Sequence, residues 1–160
     1  TGKIIFQEKI SISDEDNAGT LHDKMMTLGA ELIIKTTKAI ATGNFPQTEQ
    51  IENPEIKKAP KIFKENCKID WNNSCLKIYN LIRGLSPYPT AWTMLDEKKI
   101  KIFSSKILLE SHQEQTGKIF TDNTSYLKIS CADGFIFLNE VQLEGRKKMP
   151  VQEFLRGYKI

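Results

Sequence analysis

The stretch AWTMLDEKKIKIFSSKILL, residues 91–109, gives the clearest indication of the fold of this chain. Lysine and isoleucine alternate over residues 99–102, which is the period of a strand with one buried face. The polar triplet 96–98 separates this run from the apolar run before it and predicts a hairpin turn. The triplet 103–105 shifts the alternation by one position and predicts a β-bulge.

The sequence on either side of this stretch predicts more short strands and two helices. Asn72, Asn73 or Ser74 can cap a helix that ends before the Ser86-Pro87-Tyr88-Pro89 turn, and Pro150 suits position N1 of a last helix over 151–156. Asp133-Gly134 predicts a second hairpin turn. The predicted strands are 91–95, 99–109, 116–120, 126–130 and 134–141. The fold class is therefore α+β, with a small OB-like β-barrel and short helices.

The first third of the chain predicts a different kind of structure. Residues 3–12 alternate like a strand, and apolar residues recur at helical spacing from a predicted N-cap at Thr20 to about Gly43. One strand and one helix cannot close a core, so we expect them to be the end of a larger domain. The predicted organisation is a remnant domain at 1–43, a Pro- and Asn-containing linker at 44–60 and a C-terminal barrel domain at 61–160.

Charge is distributed unevenly along the chain. Residues 1–55 hold 5 Lys/Arg and 9 Asp/Glu, a net charge of −4. The remaining residues carry a net charge of +7, and the two parts together give the net charge of +3. A basic second half favours a polyanionic partner, although a solvated lysine-rich surface explains it equally well. Trp92 and Tyr88 could stack on bases, but an aromatic at a helix–strand corner more often packs in the core.

Groups that could carry chemistry are few. His22 and His112 have no second ligand at metal spacing, and the three cysteines form no C-x-x-C pair, so we expect no metal and no catalytic residues. Cys75 lies on the apolar face of its helix and is expected in the core. Unpaired thiols, together with the lack of a signal peptide or a membrane-spanning run, favour a cytoplasmic location.

Several segments in a fixed order resemble the methionyl-tRNA formyltransferase family. The similar segments of the C-terminal domain are Ala59–Ile62, Ile69–Trp71, Leu81–Leu85, Ser86–Thr93, Gly145–Pro150 and Glu153–Leu155. Upstream, Asp16–Lys24 and Leu28–Ala30 resemble the end of the family's catalytic domain, and Thr1-Gly2 resembles the end of its Asp-Thr-Gly motif. The resemblance covers nearly the whole chain.

The resemblance implies a fold, a reaction and a division of labour. The family has a Rossmann-like formyltransferase domain followed by an OB-like domain, and it transfers a formyl group from 10-formyltetrahydrofolate to the amino group of methionyl initiator tRNA. Its catalytic Asn, His and Asp would all precede Thr1. This chain is thus expected to be inactive alone, to hold no catalytic or folate-binding residue, and to bind tRNA. The residues expected to contact tRNA are Lys57, Lys58, Lys61, Lys64, Arg83, Arg146, Lys147 and Lys148.

Two alternatives stay open at this point. One is the corresponding part of a formyltransferase that acts on a sugar nucleotide, and the other is a free-standing OB-like RNA-binding module. The linker and terminal lysine clusters favour tRNA, and the strand–helix pattern at 1–42 argues against the free module. Because that pattern would lack its sheet, we also expect its apolar face to be exposed and to favour self-association.

Overall fold

The computed structural model describes residues 2–51 and 57–160. The chain divides into two compact units, one up to Lys61 and one from Ile62 to Ile160. The predicted linker at 44–60 falls partly on residues 52–56, which lie outside the described residues, and so does Thr1.

The first unit is built around one long helix, α1 (Ala18–Ala41). Its N-cap is Asn17, whose side chain accepts a hydrogen bond from the backbone N–H of Thr20, while the Thr20 hydroxyl accepts one from the N–H of Asn17. Thr20 is therefore the third residue of a capping box, and its prediction as N-cap is wrong. Asp16 stands just before this cap, and its hydrogen bond with Lys24 is the largest of several contacts that hold the pKa of its carboxyl well below the ordinary value.

The strand predicted over residues 3–12 does not form. Ile4 makes a single antiparallel bridge with Thr48, and Lys3 pairs with Glu49 at 2.9 Å, but residues 5–12 have no strand partner. A strand is stabilised by pairing with a neighbour, and within residues 2–51 and 57–61 this is the only bridge. Without a sheet to pack on, α1 has no buried residue, and its large apolar side chains stay exposed: Met25, Met26, Ile33, Ile34 and Ile40.

The second unit carries the predicted helices and strands with small shifts in their bounds. After a 3-10 turn at Lys64–Cys67 come α2 (Cys75–Leu85), capped by Ser74, and a last helix α3 (Val151–Gly157), for which Pro150 is the N-cap and not N1. The strands are β1 (Ala91–Leu95), β2 (Lys98–Leu109), β3 (Ile119–Thr121), β4 (Leu127–Cys131), β5 (Gly134–Leu143) and β6 (Met149–Pro150).

All strand pairs are antiparallel, in the order β1-β2-β5-β4-β3, with β6 added to β5. Asp96 and Glu97 form the β1–β2 hairpin with positive φ angles, as a two-residue turn requires. The β4–β5 turn is Ala132-Asp133, one residue before the predicted pair. Among the described residues β1 and β3 do not pair, so the predicted barrel is observed as a curled antiparallel half-barrel that does not close fully.

The predicted bulge is confirmed and explains how the long strands keep one face in the core. The β2–β5 register skips Phe103 on one strand and Asn139 on the other. Before the skip Ile100 and Ile102 are buried, and after it Ser105 is, so the buried positions change from even to odd numbers. A strand of this length would otherwise turn its second half to the wrong face.

The core lies between the sheet and the helices of this unit. Helix α2 contributes Cys75, Ile78, Ile82 and Leu85, all buried as their helical spacing predicts. Helix α3 adds Val151, Phe154 and Leu155. Tyr88, expected in the core, is instead 84% exposed at the Pro-rich turn.

Stability at alkaline pH should depend on Cys75, which is fully buried. Desolvation, followed by the hydrogen bond with Cys131, raises the pKa of the Cys75 thiol. An exposed thiol in the unfolded chain ionises near pH 8.5. Stability is therefore fully present below about pH 8.5 and falls above it, by up to about 1.4 kcal/mol per pH unit, because only the unfolded state releases the proton.

Urea unfolding of the reduced protein across this pH range measures the effect. Cys75→Ser, which cannot ionise, should lower stability at neutral pH but should flatten the alkaline decline. An equal decline in the wild type and the variant would contradict the assignment.

Candidate nucleic-acid interface

Trp92 in β1 organises a cluster of positive side chains. Its indole Nε1 donates to the carbonyl of Lys64 at 3.0 Å. Its backbone forms a parallel bridge with Lys68, and its carbonyl accepts from the N–H of Ile69 at 2.9 Å. The segment that carries Lys64 and Lys68 is thereby held along the edge of the sheet, beside the tryptophan.

Two more lysines reach the same place from β2. Lys101 lies directly opposite Trp92 in the β1–β2 register, and the Nζ of Lys99 lies 4.5 Å from the centroid of the indole ring. The Nζ of Lys68 is 5.8 Å from the same ring. Trp92 was expected to pack in the core. It is partly buried and packs against the core, so this prediction is confirmed in part.

The lysines crowd one another. The neighbouring side chain of Lys64, which can donate only to the neutral amine of Lys99, is the main cause that lowers the pKa of Lys99, and desolvation is the next. Glu144 acts in the opposite direction and raises it, and its carboxylate also accepts from the backbone N–H of Lys99 at 3.3 Å. A like-charge pair of this kind favours an added anion, which would restore full protonation.

A groove of about 230 Å³ joins this cluster to the loop after β5. Gln142 lies opposite Lys101 in the sheet, and its Nε2 donates to the carbonyl of Arg146 at 2.8 Å. The groove is lined by Lys99, Lys101, Gln142, Leu143, Glu144 and Gly145. Lys99 and Lys101 line both this groove and the surroundings of Trp92, and we call the lysines around this tryptophan the basic track: Lys64, Lys68, Lys99 and Lys101.

The structure brings together only some of the residues predicted to contact tRNA. Lys64 belongs to the basic track, whereas Arg146 and Lys147 are exposed in the loop after β5, next to the groove-lining Gly145. Lys148 is exposed too, but its Nζ pairs with Glu140 at 3.0 Å and lies 5.1 Å from the ring of Phe103.

The other predicted residues lie elsewhere. Arg83 is on α2, where its Nε donates to Asn80 at 2.7 Å and its guanidinium lies 5.8 Å from the ring of Tyr79. Lys57, Lys58 and Lys61 are exposed in the first unit.

Lys99 and Lys101 were absent from the predicted contact set, although the sequence contained a signal for them. Their alternation with buried isoleucines already places both on the face of β2 that points away from the core. The missing information was that Trp92 and the Lys64–Lys68 segment meet that face, which depends on contacts between residues far apart in sequence.

A group of two buried thiols, Cys75 and Cys131, with the exposed Asp133 was also not anticipated. Their possible ligand atoms lie within 4.8 Å of one another, and the two sulfurs are 2.7 Å apart. Two thiolates on a tetrahedral zinc ion at 2.3 Å would stand about 3.8 Å apart, so the present arrangement does not fit zinc. The Asp133 carboxylate instead accepts from the N–H of Cys75 at 2.6 Å, at the first turn of α2, and this contact is the main cause that lowers its pKa.

Comparison with known proteins identifies the family. The family described as "Formyl transferase, C-terminal domain" matches residues 61–159, and the chain belongs to it. Relatives named methionyl-tRNA formyltransferase include one from Bacteroides thetaiotaomicron, 41% identical over 100% of this chain and 52% of its own length. Another, from Azobacteroides pseudotrichonymphae, is 47% identical over 98% of the chain and 52% of its own length. The chain thus spans about half the length of these relatives.

A solved structure shows the same fold. The N-formyltransferase from Helicobacter canadensis, in complex with folinic acid and dTDP-3-aminofucose, has a TM-score of 0.63 at 21% identity, covering 93% of this chain and 51% of its own. Within the described residues, none of the helices has the length and apolar character needed to cross a membrane.

Proposed function

We propose that the chain is the C-terminal part of a methionyl-tRNA formyltransferase and that it binds the initiator tRNA. The observation that carries this proposal is the basic track around Trp92, where lysines from distant parts of the sequence meet around one indole ring. The names of the relatives, at 41% and 47% identity, support the same activity for the whole protein and favour it over a sugar-nucleotide formyltransferase.

In this proposal the reaction belongs to the whole protein and RNA binding to this part. The formyl group passes from 10-formyltetrahydrofolate to the amino group of methionine on the tRNA, in the first step of protein synthesis. Formyl transfer needs a base near the attacking amine and donors for the developing oxyanion. We assign neither the base, nor the oxyanion donors, nor a folate-binding site to any residue of this chain. The chain alone is therefore predicted to be inactive.

The basic track suits RNA because phosphates supply what its lysines lack. Lysine ammonium groups bind phosphate oxygens as point charges, and the counterions released from the RNA favour binding. The side chains of Lys99 and Lys64 lie close together, and a phosphate between them would accept from both. The contacts position the RNA and do not read its sequence.

The domain organisation, the cellular location and the self-association of the chain also belong to this proposal. We propose a remnant domain at 1–43, Rossmann-like in the intact protein, a linker at 44–60 and a C-terminal domain at 61–160. The cytoplasm is the proposed location, because the tRNA is used there. Self-association through the exposed apolar residues of α1 also remains a prediction, which the molar mass of the purified chain in solution would test.

Filter binding of methionyl initiator tRNA to the purified chain over a salt series tests the proposal. Four phosphate contacts, one for each lysine of the track, would give a slope of log K against log salt of roughly −3 to −4. Binding of an amino-sugar nucleotide, measured by calorimetry, should be absent. No binding at low salt, a flat salt response, or formylation by the chain alone would each contradict the proposal.

A further inference from the structure

The outer face of the sheet carries a row of alternating aromatic and lysine side chains, one on each of four strands. In the strand register Phe120 on β3 lies opposite Lys128 on β4, Lys128 opposite Phe137 on β5, and Phe137 opposite Lys106 on β2. We call these four residues the aromatic–lysine row. Directly opposed side chains on one face of a sheet are about 5 Å apart and in contact.

A neighbouring row of isoleucines fills the core-facing side of the same four strands. One residue along each strand, Ile119, Ile129, Ile136 and Ile107 lie opposite one another in the same order. Ile129 and Ile136 belong to the buried core, and Ile119 and Ile107 pack against it. Since side chains alternate between faces, the aromatic–lysine row lies on the side away from that core.

One ammonium group stands in the middle of several aromatic rings. The Nζ of Lys128 is 3.9 Å from the centroid of Phe135, 5.7 Å from that of Phe120 and 5.6 Å from that of Phe137. Phe120 and Phe137 are partly exposed, whereas Phe135, on the same face of β5 as Phe137, is buried beside them against the rings of Phe120 and His112. The ring face and the positive charge are thus offered together at one place.

The charge of the row is not neutralised within the unit. Among residues 2–51 and 57–160, no carboxylate lies within ion-pair distance of Lys106 or Lys128, whereas the nearby Lys118 pairs with Glu114. Lys106 is exposed. A surface that combines aromatic faces with unpaired cations fits a partner that has both flat rings and negative charge.

We propose that the aromatic–lysine row binds an unpaired segment of RNA, with bases stacked on Phe120 and Phe137 and phosphates held by Lys106 and Lys128. Phe120 and Phe137 lie two strands apart, about 10 Å, with Lys128 between them. Stacking of this kind needs a free base face, which a duplex does not offer. The inference rests on the proposed function and deepens it by naming the part of the RNA that this face takes.

The test uses two labelled RNAs, an oligouridylate and a fully paired hairpin, and measures fluorescence anisotropy with the whole chain. The double variant Phe120→Leu, Phe137→Leu keeps apolar side chains and removes the rings. We expect it to bind oligouridylate at least fivefold more weakly for each stacked base, with an unchanged salt slope. Phe120→Tyr, Phe137→Tyr keeps the rings and should bind like the wild type, which controls for folding.

The lysines of the row give the complementary result. The double variant Lys106→Gln, Lys128→Gln should reduce the salt slope for oligouridylate by about 1.4, the value for two contacts to a single strand. Both row variants should change binding of the paired hairpin by less than twofold.

The outcomes separate this inference from the proposed function. Unchanged oligouridylate affinity in both row variants, with tRNA still bound, would overturn the inference and leave the proposed function in place. An equal loss for the paired hairpin would also overturn it, as would a dimer that the leucine variant dissociates, since the face would then cover a second copy. Loss of tRNA binding in a basic-track variant, with oligouridylate still bound, would support both.

Discussion

Replacing Gly134 by alanine should destabilise the second unit by about 3 kcal/mol or more and prevent stable folding at low denaturant. An added Cβ at this position would lie 2.2 Å from the carbonyl oxygen of Leu108 and 3.1 Å from the backbone nitrogen of Glu110. Both atoms belong to the backbone at the end of β2, which pairs with β5 at Leu109–Gly134. The overlap can be relieved only by separating the two central strands, since no flexible side chain can move away.

Urea unfolding followed by circular dichroism measures this change, with Gly84→Ala as the matched control. Gly84 is in α2, and a Cβ there would meet nothing within 4 Å. Alanine is the better helix former by up to about 1 kcal/mol, so this control should be as stable as the wild type or more stable. A Gly134→Ala protein with wild-type stability would show that the β2–β5 approach is looser than the structure describes.

The double variant Lys99→Gln, Lys101→Gln should weaken binding of methionyl initiator tRNA by about ten- to a hundredfold. Each lysine lies on the outer face of β2 and borders the groove of the basic track. A charge-assisted hydrogen bond to a phosphate contributes about 1.5 kcal/mol or somewhat less once solvent exposure is considered, which is up to about tenfold for each contact. The slope of log K against log salt should fall by about 1.8, because two phosphates lose their partners.

The control variant Lys77→Gln, Lys159→Gln changes the net charge by the same amount away from the groove. Lys77 lies on α2, and its Nζ donates to the side chain of Asn73. The Nζ of Lys159 donates to the carbonyl of Asn123. This control should retain most of the affinity and of the salt slope. Equal losses in the two variants would mean that tRNA senses only the overall charge, and the basic track would then have no special role.

The local features of β2 were largely predictable from the sequence. The alternation over 99–102, the break at 103–105 and the turn at 96–97 appear in the structure as β2, its bulge and its hairpin. These features are local: a period of two, a shift of one and a residue pair that accepts positive φ. The buried face of α2 was predictable for the same reason, since a spacing of three and four residues defines one side of a helix.

The strand predicted at 3–12 does not form and the predicted barrel is closed only in part, because each prediction depends on a partner strand. An alternating pattern indicates which side of a strand would be buried, but it does not supply a neighbour, and among the described residues of the first unit Ile4–Thr48 is the one bridge. Full closure likewise requires β1 and β3 to meet, and their sequences contain no information about their separation.

The basic track and the aromatic–lysine row show the same division. The alternation along each strand was enough to show that Lys99, Lys101 and Lys128 point away from the core, since their strand neighbours are apolar. The meeting of the first two with Trp92 and Lys64, and the place of Lys128 between Phe120 and Phe137, became visible only in the folded sheet. The direction of a side chain follows from the backbone period of its own strand, whereas its neighbours follow from which strands pair and in what register.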